Sequence, residues 1–170
     1  MARSTRPSRT ALSEGMACLA RRPLTVLELE IRLRDKGYPD EEIEEACRVL
    51  RRDRLLDDRR LAAHYMAVRM ERKGHGPLRL SRDLERRGVD PALVAAVLQE
   101  GIENEDLEPD RILAREIRKR APAGNLSPGA YRRLYNALLR AGFESFAIRR
   151  ELDTIARNPD APEDPIPPEP

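Results

Sequence analysis

Pairs of leucines four residues apart, each pair closed by a glycine, punctuate this chain. Leu29 and Leu33 precede Gly37, Leu80 and Leu84 precede Gly88, and Leu134 and Leu138 precede Gly142. Directly after the glycines stand Tyr38, Val89 and Phe143; six residues on, Ile43, Val94 and Ile148; ten on, Cys47, Leu98 and Leu152. Leucines four apart share one face of a helix. The glycine ends that helix in a left-handed conformation without a Cβ clash, the next apolar residue tucks under the turn, and the last pair faces back on the first. The pattern predicts three helical hairpins, repeated about every fifty residues. No stretch alternates with period two long enough to predict a strand.

Start and stop signals extend this to nine helices. The first is predicted over about Ala11–Arg22, stopped by Pro23. The second follows Thr25, which forms a T-x-x-E capping box with Glu28 and ends at Gly37. The third covers about Asp40–Arg52. The fourth starts with Asp57 or Asp58 as its cap and ends at Gly74. The fifth covers about Leu78–Arg87, and the sixth opens on Asp90-Pro91. The seventh covers about Asp110–Arg120, halted by Pro122. The eighth runs from Ser127-Pro128 to Gly142 and the ninth over about Ser145–Ala156. The expected fold is therefore all-α: three tandem three-helix, helix-turn-helix-like repeats over 10–53, 57–104 and 108–156, elongated or gently curved. A unit of about 50 residues has a marginal core alone, so the units either dock or string out along a partner.

Composition supports helices: charged residues make up 36% and aromatic residues 4%, with no tryptophan. Residues 1–9 read as a flexible basic arm. Six prolines crowd the last 13 residues, so 157–170 reads as a disordered Pro-rich tail. From Arg157 on, one arginine faces four acids; the overall charge of +2 therefore leaves about +5 on residues 1–156. Cys18 and Cys47 have neither a CxxC spacing nor histidine partners, and read as reduced core residues of a cytoplasmic protein. No apolar run reaches membrane-spanning length, and no leader-like apolar region follows the basic start.

With this pattern in place, the chain resembles the RecX family, regulators of the recombinase RecA. The resemblance rests on "CLARR" from Cys18, the junction "LLDDRRLA" from Leu55, and "GHGPLRL" from Gly74 followed by "LERRGV". It covers about residues 10–156 and is strongest from Ala17 to Leu98. The chain departs from the family pattern at Arg54, where glycine usually precedes the hydrophobic pair, and at Leu61, where an aromatic is common. The third repeat matches only in its Leu-Leu-Gly-Phe skeleton. The resemblance implies a non-enzymatic protein; the chain itself is expected to be a monomer without a cofactor. Such a protein would bind along the groove of the RecA–single-stranded DNA filament, restrain its ATPase and strand exchange in DNA repair and the SOS response, and in some members touch DNA directly.

The residues themselves nominate two basic groups. Arg69, Arg72, Lys73, Arg79, Arg82 and Arg86 surround two glycines, with only Glu71, Asp83 and Glu85 nearby, and are candidates for contact with an acidic surface or phosphates. Arg111, Arg115, Arg118, Lys119, Arg120, Arg132, Arg133 and Arg140 form the second group. Three or four phosphate contacts would make binding fall steeply with salt. Glu28→Arg32 and Glu30→Arg34 are read as i,i+4 pairs on a solvated face. Asp57 and Asp58 read as caps rather than metal or acid–base groups. His64 reads as a partly buried packing residue and His75 as a solvated one. No phosphate-binding loop, zinc-protease or serine-hydrolase motif occurs.

The rival reading is a sequence-specific or non-specific helix-turn-helix DNA-binding protein, with a generic helical scaffold as a third. A recognition helix offers Arg, Lys, Asn or Gln to base edges. Here the corresponding helices are "DEEIEEAC", with five acids, and "PALVAAVLQE", nearly all small and apolar; only "SFAIRREL" is mildly suited.

Overall fold

A computed structural model describes residues 9–121 and 126–157. Among the described residues it holds nine helices and no strand: α1 Ala11–Arg21, α2 Val26–Asp35, α3 Asp40–Arg52, α4 Asp58–Lys73, α5 Pro77–Arg86, α6 Pro91–Glu103, α7 Pro109–Arg120, α8 Pro128–Ala141 and α9 Ser145–Arg157. The predicted ends lie within a residue or two of these. The expected tail boundary moves, since Arg157 is still helical, and the rest of that tail lies outside the described residues. So do Pro122 and the arm through residue 8. Arg9, assigned to the arm, has its carbonyl held by the Tyr38 hydroxyl at 2.9 Å.

Local chemistry sets the helix starts. Thr10, Asp57, Asp90 and Ser127 each accept a backbone N–H of the following turn. The Thr25–Glu28 capping box is complete in both directions. The hairpin skeleton lies in the core: Leu29, Leu33, Tyr38, Ile43 and Cys47 are buried, as are Leu80, Leu84, Val89 and Val94, and Leu134, Leu138, Phe143, Ile148 and Leu152; the first helix of each unit adds Ala11 and Cys18, Ala62, Met66 and Met70, and Ile112, Leu113 and Ile117. Each such aliphatic side chain contributes about 1.5–3 kcal/mol. Leu98 is the exception: it is half-buried, and Val97 takes the inward position one residue earlier. Both cysteines are free and buried.

The helices pack in triplets. α1 lies on α2 and α3, α4 on α5 and α6, and α7 on α8 and α9. The first unit has its own hydrophobic core, from Ala11 to Leu56. The second and third share a single core running from Ala62 to Leu152, so these two units dock rather than string out, which relieves the marginal size of each.

The repeat also reaches beyond the hairpins. Arg54 and Glu105, just past α3 and α6, both adopt left-handed backbone with φ of 56° and 61°. Leu56 N–H then donates to the Leu50 carbonyl at 3.1 Å, and Leu107 N–H to the Gly101 carbonyl at 2.8 Å. Leu56 and Leu107 are buried by that turn. The conformation explains why glycine suits the Arg54 position.

Three expectations are corrected. Neither i,i+4 pair forms within α2: Glu28 pairs with Arg87 and Arg22, and Arg34 with Asp40. His64 is exposed, because its position on α4 points away from both cores. His75 is half-buried rather than solvated, its Nδ1 enclosed without a hydrogen-bond partner among the described residues. Burial, then the nearby positive charge of Arg79, pushes its pKa down.

Candidate partner-binding surface

α4 ends at Gly74, whose left-handed backbone turns the chain into α5. That turn brings the exposed last turn of α4, with Arg69, Arg72 and Lys73, beside α5, where Arg79, Arg82 and Arg86 stand at i, i+3 and i+7 on one exposed face. Arg72, Lys73 and Arg82 make no ion pair with any described residue. Arg79 and Arg86 instead share Asp83, at 4.0 Å for Arg79 and closer for Arg86, and the Tyr65 hydroxyl donates to the same carboxylate at 3.3 Å. Arg69 stacks over the Tyr65 ring, its guanidinium carbon 5.4 Å from the centroid. Burial, followed by the Asp83 charge, pushes the Tyr65 phenol up. The first basic group is therefore one continuous surface, with its most available cations at Arg72, Lys73 and Arg82.

The second basic group divides. Arg111 and Arg115 reach back from α7 to Glu71 on α4. Arg115, Lys119 and Arg120 surround Glu116, which is only 5% exposed. Glu116 packs against Gly74, where a Cβ would land inside its carboxylate. Arg111 and Arg115 thus tie the third unit to the second, while Lys119 and Arg120 pair with Glu116 within α7. Arg118, Arg132, Arg133 and Arg140 remain exposed and unpaired among the described residues.

The joint between units one and two was invisible along the sequence. Arg87 stacks on the Tyr65 ring at 5.6 Å while holding Glu28. Beside it opens a groove of about 630 Å³, floored by Leu19, Leu24, Leu55 and Leu61 and edged by Arg22, Arg60, Arg69 and Arg87. Its one hint in sequence is the repeat itself: Arg87 occupies the place of Lys36, which reaches Glu14 within its own unit.

Asp57 and Asp58 have structural partners. Asp57 caps α4 through Arg60 N–H at 2.9 Å, and Asp58 accepts the first N–H of α2, from Val26, at 3.0 Å. Among the described residues there is no cluster of three or more His, Cys, Asp or Glu able to hold a metal, and no helix long and apolar enough to cross a membrane.

Comparison with known proteins agrees with this architecture. Family models for the first and second three-helix domains of RecX match residues 11–48 and 57–98. The chain is 33% identical over 156 residues to the regulatory protein RecX of Trichlorobacter lovleyi, covering 88% of this chain and 97% of that one. It is 31% identical over 133 residues to RecX of Geobacillus kaustophilus, covering 78% of this chain but 49% of the relative. The match spans 62% of the RecX of Legionella pneumophila. The fold is also that of a crystal structure of RecX from Lactobacillus salivarius, at TM-score 0.67 and 23% identity, covering 85% of this chain and 98% of the other. Two family domains matched in order, and a relative aligned over nearly its whole length, place the chain in the RecX family of regulatory proteins.

Proposed function

We propose that this protein regulates RecA, mainly as an inhibitor, by binding along the RecA–single-stranded DNA filament in the cytoplasm. One observation carries the reading: the α4–α5 surface presents Arg72, Lys73 and Arg82 with no ion-pair partner among the described residues. Cations without an internal partner favour fast, salt-sensitive association with an acidic surface. The proposed mechanism is occupancy: a monomer lies across neighbouring protomers, bridges them, and obstructs incoming duplex. Major-groove reading by the helix-turn-helix hairpins is disfavoured, because α3 exposes Asp40, Glu41, Glu44 and Glu45 where phosphates would approach.

The test is RecA ATPase and strand exchange on single-stranded DNA with sub-stoichiometric protein, together with co-sedimentation on filaments. Slowing of both rates is expected. Unchanged rates without co-sedimentation would sink the reading. A roughly thousandfold preference for one selected duplex over random duplex would favour the operator-binding rival instead.

A further inference from the structure

The sixth helix departs from its counterparts in the other two units. Ala95, Leu98 and Ile102 fall at i, i+3 and i+7, one stripe along α6. The same repeat positions hold Glu44, Cys47 and Arg51 in the first unit, and Arg149, Leu152 and Ala156 in the third. Cys47 and Leu152 turn into their cores, but Val97 takes that place in α6 and leaves Leu98 half-buried. Ala95 is exposed and Ile102 is 39% exposed. An apolar stripe left in water forgoes stabilisation that burial would supply.

The stripe is one wall of a groove of about 660 Å³, floored by Leu113 of α7 and by Phe143 beside α9. The groove is built in advance of any partner. Units two and three share a core, and the α8–α9 turn is bonded to the start of α5: Gly76 N–H donates to the Ala141 carbonyl at 2.8 Å and Leu78 N–H to the Gly142 carbonyl at 3.0 Å. The rim carries Glu105, Glu108, Asp110 and Glu144 against one cation, Arg111. Arg111 is committed to Glu108 and Glu71, and Asp110 to Arg150. Glu105 and Glu144 make no ion pair with any described residue. Acids at the starts of α7 and α9 suit the helix dipole, which accounts for Glu108, Asp110 and Glu144 one by one. It does not account for Glu105, which lies just past the end of α6, where an acid opposes the dipole. Nor does it account for the open apolar stripe.

Four carboxylates repel a phosphate backbone and complement a cationic partner, whereas the groove beside Arg87 has the opposite rim. With no strand among the described residues to extend, an apolar ridge along a helix is matched by a second helix, whose side chains at i, i+3, i+4 and i+7 fill such a groove. The volume lies within the ordinary range of preformed binding clefts. We propose that the α6–α7–α9 groove docks a basic amphipathic helix of a partner protein. Its aliphatic side chains meet Leu98, Ile102 and Phe143, and its lysines or arginines meet Glu105 and Glu144. The groove shares no residue with the α4–α5 cations and stands without the filament reading.

The test is fluorescence anisotropy of the full chain with a labelled helical peptide of leucine and lysine, its leucines at i, i+3, i+4 and i+7. One control peptide has the same composition with the leucines scrambled; the other has glutamate in place of lysine. The wild type should bind the first peptide and neither control. Ile102→Ser should weaken that binding about tenfold. Glu105→Lys combined with Glu144→Lys should weaken it several-fold at low salt and less at high salt. All three side chains are exposed, so helicity by circular dichroism should match the wild type. Ile31→Ser, at an isoleucine 45% exposed on the first unit, should leave affinity unchanged. No binding by the wild type, equal binding of either control peptide, wild-type affinity in either groove variant, or an equal loss in Ile31→Ser would overturn the proposal. So would self-association of the wild type that Ile102→Ser abolishes, since a second copy would then fill the groove. Tighter peptide binding after deletion of residues 1–8 would likewise assign the groove to the chain's own basic arm. Absence of filament co-sedimentation with peptide binding intact would count against the filament reading alone.

Discussion

Arg87 and Glu28 join the first two units by a two-pronged pair, Nε to Oε1 at 3.0 Å and Nη2 to Oε2 at 3.0 Å. The same carboxylate accepts the Thr25 N–H at 3.1 Å, and the Thr25 hydroxyl donates to the Arg87 carbonyl at 2.6 Å. The capping box that starts α2 is thus bonded directly to the end of α5. A local helix signal and an inter-unit joint use the same two side chains.

That joint is acid-sensitive. Burial pushes the Glu28 carboxyl up, but hydrogen bonds from Arg87 and Thr25, with the Arg87 and Arg22 charges, outweigh it and leave the pKa below the ordinary glutamate value. A carboxylate with a depressed folded pKa stabilises above its unfolded value, and that contribution is lost as pH falls through the folded one. Urea melts should therefore show the wild type losing stability below the usual glutamate range. Glu28→Gln should cost about 1.5–3 kcal/mol at neutral pH and flatten the acid dependence. An unchanged acid dependence in the variant would place it elsewhere.

Equivalent glycines should not be equally tolerant. Gly37 and Gly88 share the left-handed turn, with φ of 84° and 86°. A Cβ on Gly37 meets nothing within 4 Å, whereas one on Gly88 would land in the Leu27 side chain across the joint. Gly37→Ala should cost only the left-handed penalty, about 1–2 kcal/mol. Gly88→Ala should cost that plus about 1–3 kcal/mol of overpacking. Denaturant midpoints of the two variants compare the terms directly.

Arg54 and Glu105 hold left-handed backbone without being glycine. Arg54→Gly and Glu105→Gly should each raise stability by up to about 1 kcal/mol, the relieved strain being partly offset by the greater freedom of glycine in the unfolded chain. Thermal melts read the sign. A lower melting temperature in both would show that their side chains contribute more than the strain costs.

Charge reversal separates binding from folding on the α4–α5 surface. Arg72→Glu, Lys73→Glu and Arg82→Glu break no ion pair among the described residues, so helicity by circular dichroism should be unchanged. Filament co-sedimentation should fall, most at low salt, where screening is weakest. Arg115→Glu should behave oppositely and destabilise first, because it faces Glu71 and Glu116.

The helices were legible because their signals act within a turn or two. Thr25 finds Glu28 three residues on, Asp90 caps the N–H groups of Ala92 and Leu93, and Leu29–Leu33–Gly37 recurs as a packing unit. These spacings determined the helices and the hairpin part of the core; the buried faces of α1, α4 and α7, such as Met66, Met70, Ile112 and Ile117, were not among the aligned positions.

What lay beyond reach was set by contacts between residues far apart in the chain. Glu28 lies beside Arg32 in sequence yet bonds Arg87, and Glu71 bonds Arg111 and Arg115 on another unit. Sequence could count the cations but not tell which were spent on joints. That depended on how the units docked, because a charge fixes its partner only when packing brings a carboxylate within a few ångströms. The sequence by itself determined the repeated hairpin; tertiary structure decided that units two and three share a core, that Arg115 is a tie while Arg72 has no ion-pair partner among the described residues, and that Arg87 joins the first unit to the second.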